Sequence, residues 1–192
     1  MIQASIITWE SGTDLVLDAR VSRTPHEIWQ HIADPDACAE WFAPFSRSDE
    51  DRIVFDFEDD ALPAELLVCQ EDAHVLLAFE ALGQLGLSLK ELEDGTRVTV
   101  THTFATVEEA ADILAEVGPV WETHLRLLCE VLGEQQTDIR EHELYARYEE
   151  LAAQARDDAA YGAETDTAEP EAAVSDAAEP DAEADGAGEG SR

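Results

Sequence analysis

Lysine is nearly missing from this chain. Lys90 is the only one, and the other ten cationic side chains are arginines. Against 11 basic residues stand 45 acidic ones, for a formal net charge of -34. Such a field repels phosphate backbones and anionic lipid, which excludes nucleic acid and membrane surfaces as partners and leaves basic proteins and cations. The acidity reads either as a solvated surface suited to high salt or as a face for a basic partner. Cysteine is scarce: Cys38, Cys69 and Cys129 are odd in number and have no CxxC spacing. Free thiols in a reducing cytosol follow, rather than a disulfide framework. Long apolar runs are missing too. The longest candidate, from Val75 to Leu89, is interrupted by Glu80, Gln84 and two glycines, so no bilayer span is expected. The first positive side chain is Arg20, so residues 1–12 do not read as a secretory signal, and a cytoplasmic location is expected. There is no GxSxG, P-loop, GxGxxG or HExxH. His26 and His31 are five apart, which turns them about 140° from each other on a helix. No metal and no cofactor are expected.

What is present is a core. Hydrophobic residues make up 45% of the 192. They stop abruptly: residues 157–192 hold 12 acidic side chains and a single Arg, and no aromatic follows Tyr161. Too little apolar surface remains there to offset ordering entropy, so 157–192 reads as a disordered acidic tail.

Residues 1–12 form an arm or short strand. Asp14 to Ser22 alternates with Leu15, Leu17, Ala19 and Val21 on one face, the period of a half-buried strand. Thr24-Pro25-His26-Glu27 is a capping box that starts a helix, and Asp34-Pro35 starts a second one through Ala37, Trp41 and Phe42. Five strands follow, over 52–58, 64–70, 75–80, 85–90 and 97–104. In the last, Val98, Val100, His102 and Phe104 face one way. Leu66 and Val68 fall together in the second of the five. Thr106 opens a helical pattern to Leu132, which Gly118-Pro119 must break or kink. Beyond it, Trp121, Leu125, Leu128 and Leu132 make one apolar stripe, with Gly133 as C-cap. A further amphipathic helix lies in 134–156, from about Asp138. Helices segregated from a run of strands give an α+β fold of about six antiparallel strands.

Two segments resemble a known family. Val21-Ser22-Arg23-Thr24-Pro25-His26-Glu27-Ile28-Trp29, continuing to Asp34-Pro35 and Glu40-Trp41-Phe42, resembles the opening of the START-like (SRPBCC) superfamily. The branch is the one named for the C-terminal domain of the activator of heat-shock-protein-90 ATPase. Gly118-Pro119-Val120-Trp121 through Leu128 is similar to the start of that family's final helix, with two residues inserted between Gly and Trp. The resemblance spans about residues 13–133. It implies a helix-grip fold, a curved antiparallel sheet around a long C-terminal helix, with a groove between them. It implies no universal catalytic residue; members bind apolar ligands, act in small-molecule pathways or contact chaperones. The segment from Ala43 to Arg52 is short and acidic, where many members carry a glycine-rich strand.

Trp41, Phe55, Phe57, Phe79, Val100, His102, Trp121 and Leu125 are the groove candidates. The aromatics either line a cavity or fill the core. His102 is either a polar anchor in the groove or a hydrogen-bonded core histidine. Leu144, Tyr148 and Leu151 form a stripe that docks on its own domain or on a partner or second copy. Three functions remain: a non-enzymatic domain for a small apolar ligand, a co-chaperone-like interaction module with a filled core, and, with His102 alone inside, an enzyme. A cavity of roughly 300 Å³ or more favours the first.

One consequence is testable from charge alone. Residues 1–156 hold 33 acidic and 10 basic side chains. Salt screens their repulsion, with a Debye length falling from about 10 Å at 0.1 M to about 3 Å at 1 M. The melting temperature is expected to rise across that range of sodium chloride. A flat or falling thermal scan would mean the negative charges are already compensated.

Overall fold

The computed structural model describes residues 1–9, 12–57, 60–80 and 82–166. Eight strands form one antiparallel sheet: β1 (Gln3–Trp9), β2 (Gly12–Val21), β3 (Phe45–Asp49), β4 (Arg52–Asp56), β5 (Ala61–Gln70), β6 (His74–Phe79), β7 (Gly83–Leu92) and β8 (Gly95–Phe104). Their order is β1-β2-β8-β7-β6-β5-β4-β3. Four helices accompany it among the described residues: α1 (Pro25–Ala33), α2 (Pro35–Cys38), α3 (Val107–Val131) and α4 (Glu141–Asp166).

The register shows why the alternation matters. Leu15, His102, Leu85 and Leu77 stand opposite one another across β2, β8, β7 and β6, and Leu17, Val100, Leu87 and Val75 form the next rung. Each rung puts four side chains on the inner face, where α3 covers them with Trp121, Leu125 and Leu128. The helix starts are built as the sequence specifies. Thr24 accepts from the Glu27 N–H while Glu27 accepts from the Thr24 N–H, and Asp34 caps α2. Gly133, at φ +86°, closes α3, with the Glu134 N–H donating to the Cys129 carbonyl.

Five expectations are corrected. The sheet has eight strands rather than about six. The arm is the edge strand β1, and β3 was invisible because Phe-Ser-Arg-Ser-Asp carries a single apolar residue. A bulge between Leu66 and Val68 inserts Leu67, so Val68 stands opposite Leu76 on the outer face and Cys69 opposite Val75 on the inner one. The second helix stops at Cys38, and Trp41 and Phe42 lie in the turn beyond it. The last helix begins at Glu141 and runs past Asp157 to Asp166; the remainder of the acidic tail, 167–192, lies outside the described residues.

The fifth correction is Pro119, which sits inside α3 without ending it, so of the expected break or kink the break does not occur. Gly118 beside it has a packing role instead. The Tyr148 ring of α4 seats on its Cα, and a Cβ there would lie within 3.0 Å of three ring atoms. Leu144, Tyr148, Ala152 and Ala155 are buried, and Arg156 donates to the Ala111 carbonyl on α3 at 2.7 Å. The stripe of α4 is therefore used within the chain, with Leu151 half-buried beside it.

Gly118→Ala separates the two roles. In an open helix the change stabilises by about 1 kcal/mol. Here the methyl meets a rigid buried ring, and overpacking costs about 1–3 kcal/mol. Urea unfolding is expected to show a net loss; a gain would mean that the ring does not seat on Gly118.

Candidate functional site

The inner face carries two apolar clusters. One lies under β2, β8 and β7 against α3, and the other joins Cys38, Ala43, Ile53, Phe55, Ala64, Leu77 and Phe79 beneath β4–β6. Between them is a partly open cavity of about 90 Å³. It does not reach the roughly 300 Å³ that would favour a ligand-binding domain, the lower end of drug-sized sites. Its scale is nearer to one ring, since a dry apolar cavity of about 150 Å³ takes up benzene.

Five of the eight groove candidates line this cavity: Trp41, Phe55, Val100, Trp121 and Leu125. Phe79 stands behind Phe55, ring centroids 6.2 Å apart. Phe57 is 38% exposed and meets Phe42 edge-to-face. His102 lies under the wall rather than in it. Its Nδ1 accepts the Trp121 indole N–H at 2.9 Å and its Nε2 donates to the Leu82 carbonyl, so both nitrogens are engaged. That geometry fixes the neutral ring and makes His102 a strut between β8 and α3.

Sequence reasoning missed other wall residues. Trp29 and Phe42 come from the α1–α2 region, Phe45 and Arg47 from β3, Cys69 from beyond the bulge, and His124 from α3. The His124 Nδ1–H donates to the Trp41 backbone carbonyl at 2.9 Å, and the Trp41 indole N–H donates to the His31 carbonyl at 2.8 Å. The signal for His124 was its place three residues after Trp121 on the stripe. Cys38 is held as a thiol, pushed up to about 11 by burial. Among the described residues no carboxylate lines the cavity, so neither histidine has a partner for acid–base chemistry there.

Elsewhere, His26, Glu71 and Asp72 gather ligand atoms within 4.8 Å of one another at the surface, and could hold a cation. The His26 Nδ1 lies 3.1 Å from Asp72, which is 46 residues away. That separation hid the group from a spacing argument. His124 also lines a surface groove between α3 and the segment before α4, edged by the exposed Val120, Leu127 and Tyr145.

No family model matches the sequence, and no curated protein matches it. Solved structures do match. The solution structure of CalU16 from Micromonospora echinospora superposes with a TM-score of 0.64 at 17% identity, covering 81% of this chain and 97% of that one. DynU16, from the dynemicin biosynthetic locus, gives 0.56 at 21% identity over 62% of this chain and 47% of that one. The Aha1 dimer from Colwellia psychrerythraea gives 0.54 at 19% identity over 62% and 95%. At these identities the likeness is one of fold, a helix-grip arrangement of sheet and long helix. No helix among the described residues is long and apolar enough to cross a membrane.

Burial lowers the pKa of both His102 and His124. At His102 the Leu82 carbonyl and the carboxylates of Glu109 and Asp14 oppose it, and at His124 the Trp41 carbonyl does. Below the ordinary value of about 6.5 the unfolded chain therefore binds protons that the folded chain refuses. Their contribution to stability is full above that pH and is lost as pH falls towards the folded values. The double variant His102→Gln, His124→Gln is expected to lose less urea stability between about pH 7.5 and 5.5 than the parent. Equal losses would place the acid sensitivity elsewhere.

Proposed function

We propose that this chain is a non-enzymatic START-like domain that binds a small apolar ligand between the sheet and α3. The observation that carries the reading is the cavity itself, an opening walled by aliphatic and aromatic side chains where two core clusters fail to meet. Its size favours a ligand of about one ring, or one such group of a larger molecule entering from the mouth. The absence of a carboxylate from its described wall weighs against catalysis in it.

A second reading has its own observation. Val120, Leu127 and Tyr145 leave apolar surface exposed along the groove on α3, and one protein of the same fold is a dimer. In that reading the domain is an interaction module, as in the activator of heat-shock-protein-90 ATPase, and the groove receives a protein. With Leu144 and Tyr148 buried inside the chain, such a contact involves this groove rather than the stripe of α4.

Trp29, Trp41 and Trp121 all line the cavity, so intrinsic fluorescence reports its occupancy. Titration with toluene is expected to give a saturable emission change and a rise in melting temperature. The stabilisation should approach about 2.7 kcal/mol at a hundred times Kd. Cys69→Phe, which places a ring at the mouth, should abolish both. If no saturable change occurs and native mass spectrometry shows a dimer with nothing bound, the interaction reading replaces this one.

A further inference from the structure

The wall of the cavity is apolar, but the few polar groups in it are not equivalent. The indole N–H of Trp41 is engaged with the His31 carbonyl, and that of Trp121 with His102. Arg47, on the exposed edge strand, has only donors to offer. Cys38 and Cys69 are weak in both roles. His124 differs from all of these. A carbonyl can only accept, so the contact with the Trp41 carbonyl requires the proton on Nδ1. The neutral ring then carries a lone pair on Nε2, and among the described residues nothing donates to it. Burial keeps the ring in that neutral form near pH 7. Its place is fixed by the same hydrogen bond and by Phe42, which packs against it edge-to-face at 4.8 Å.

We propose that His124 is the specificity-determining residue of this cavity, and that its Nε2 accepts a hydrogen bond from the O–H or N–H of a small aromatic ligand of the phenol or indole class. The inference rests on the cavity reading above and adds a selection rule to it. Burial of the ring supplies the affinity. The spare acceptor on Nε2 decides among molecules of equal shape, because a donor buried beside an apolar wall without a partner is penalised. His102, the other buried imidazole, has no such capacity, since both of its nitrogens are already engaged.

The test compares phenol with toluene, which differ by a hydroxyl in place of a methyl. Each is titrated into the full chain and into His124→Phe, which keeps a ring and removes the acceptor. The variant is expected to lower phenol affinity about five- to tenfold, the effect of one net hydrogen bond, and to leave toluene within about twofold. A second measurement needs no variant. In the parent protein the 15N resonance of the His124 Nε2 should shift with phenol and not with toluene. If toluene binds, phenol leaves that resonance unmoved and the variant weakens both alike, the role of His124 is wrong and the cavity reading stands. If neither compound binds the parent, both fall together.

Discussion

Glu122 sets the constraint around which this domain is assembled. It sits in the middle of α3 and is fully buried. A lone carboxylate there would cost several kcal/mol. Arg126, one turn on, donates to its Oε1 from Nε and Nη2 at 2.9 and 2.7 Å. The Tyr148 hydroxyl donates to its Oε2 at 2.8 Å, and Arg147 pairs with the same oxygen. Two of the three partners come from α4, so the charge can be buried only when α4 lies across α3. The docking also fixes which side of α3 remains for the sheet. With Gly118 and Glu122 turned to α4, Trp121, Leu125 and Leu128 are committed to the strands, and Trp121 reaches the His102 strut.

What was legible in the sequence follows from how local each determinant is. β8 alternates without a fault, and its register with β2 and β7 obeys that alternation. The capping box of α1 and the Thr106 cap of α3 are each set within four residues, although at α3 the Glu109 carboxylate accepts from the Ala105 N–H and leaves the reciprocal half of a box unmade. β3 has too little apolar content to be seen, because its strand character comes from pairing with β4. Pro119 reads locally as a helix breaker, yet the packing of α3 between sheet and α4 holds the helix through it.

The site was legible in part for the same reason. Phe55, Val100, Trp121 and Leu125 could be chosen because each lies on a stripe whose inward side the periodicity reveals, whereas Trp41 reads as part of a helix that ends at Cys38 and reaches the cavity from the turn beyond it. His102 drew attention as the polar residue on an inward face, and its partners show a saturated ring. His124 sits on the border of the α3 stripe, half-buried, and its chemistry depends on a backbone carbonyl 83 residues away. No pattern in the sequence announces a contact of that separation.

The bulge in β5 has an evolutionary consequence. Because Leu67 is supernumerary in the ladder, everything from Val68 to Gln70 has its inside and outside exchanged relative to strict alternation. Deleting that one codon would remove the bulge and leave Val68 opposite Leu76 on the outer face and Cys69 opposite Val75 on the inner one, so the mouth of the cavity would keep its thiol. A lineage carrying this scaffold can thus gain or lose a residue in the middle of this strand without changing what the cavity presents.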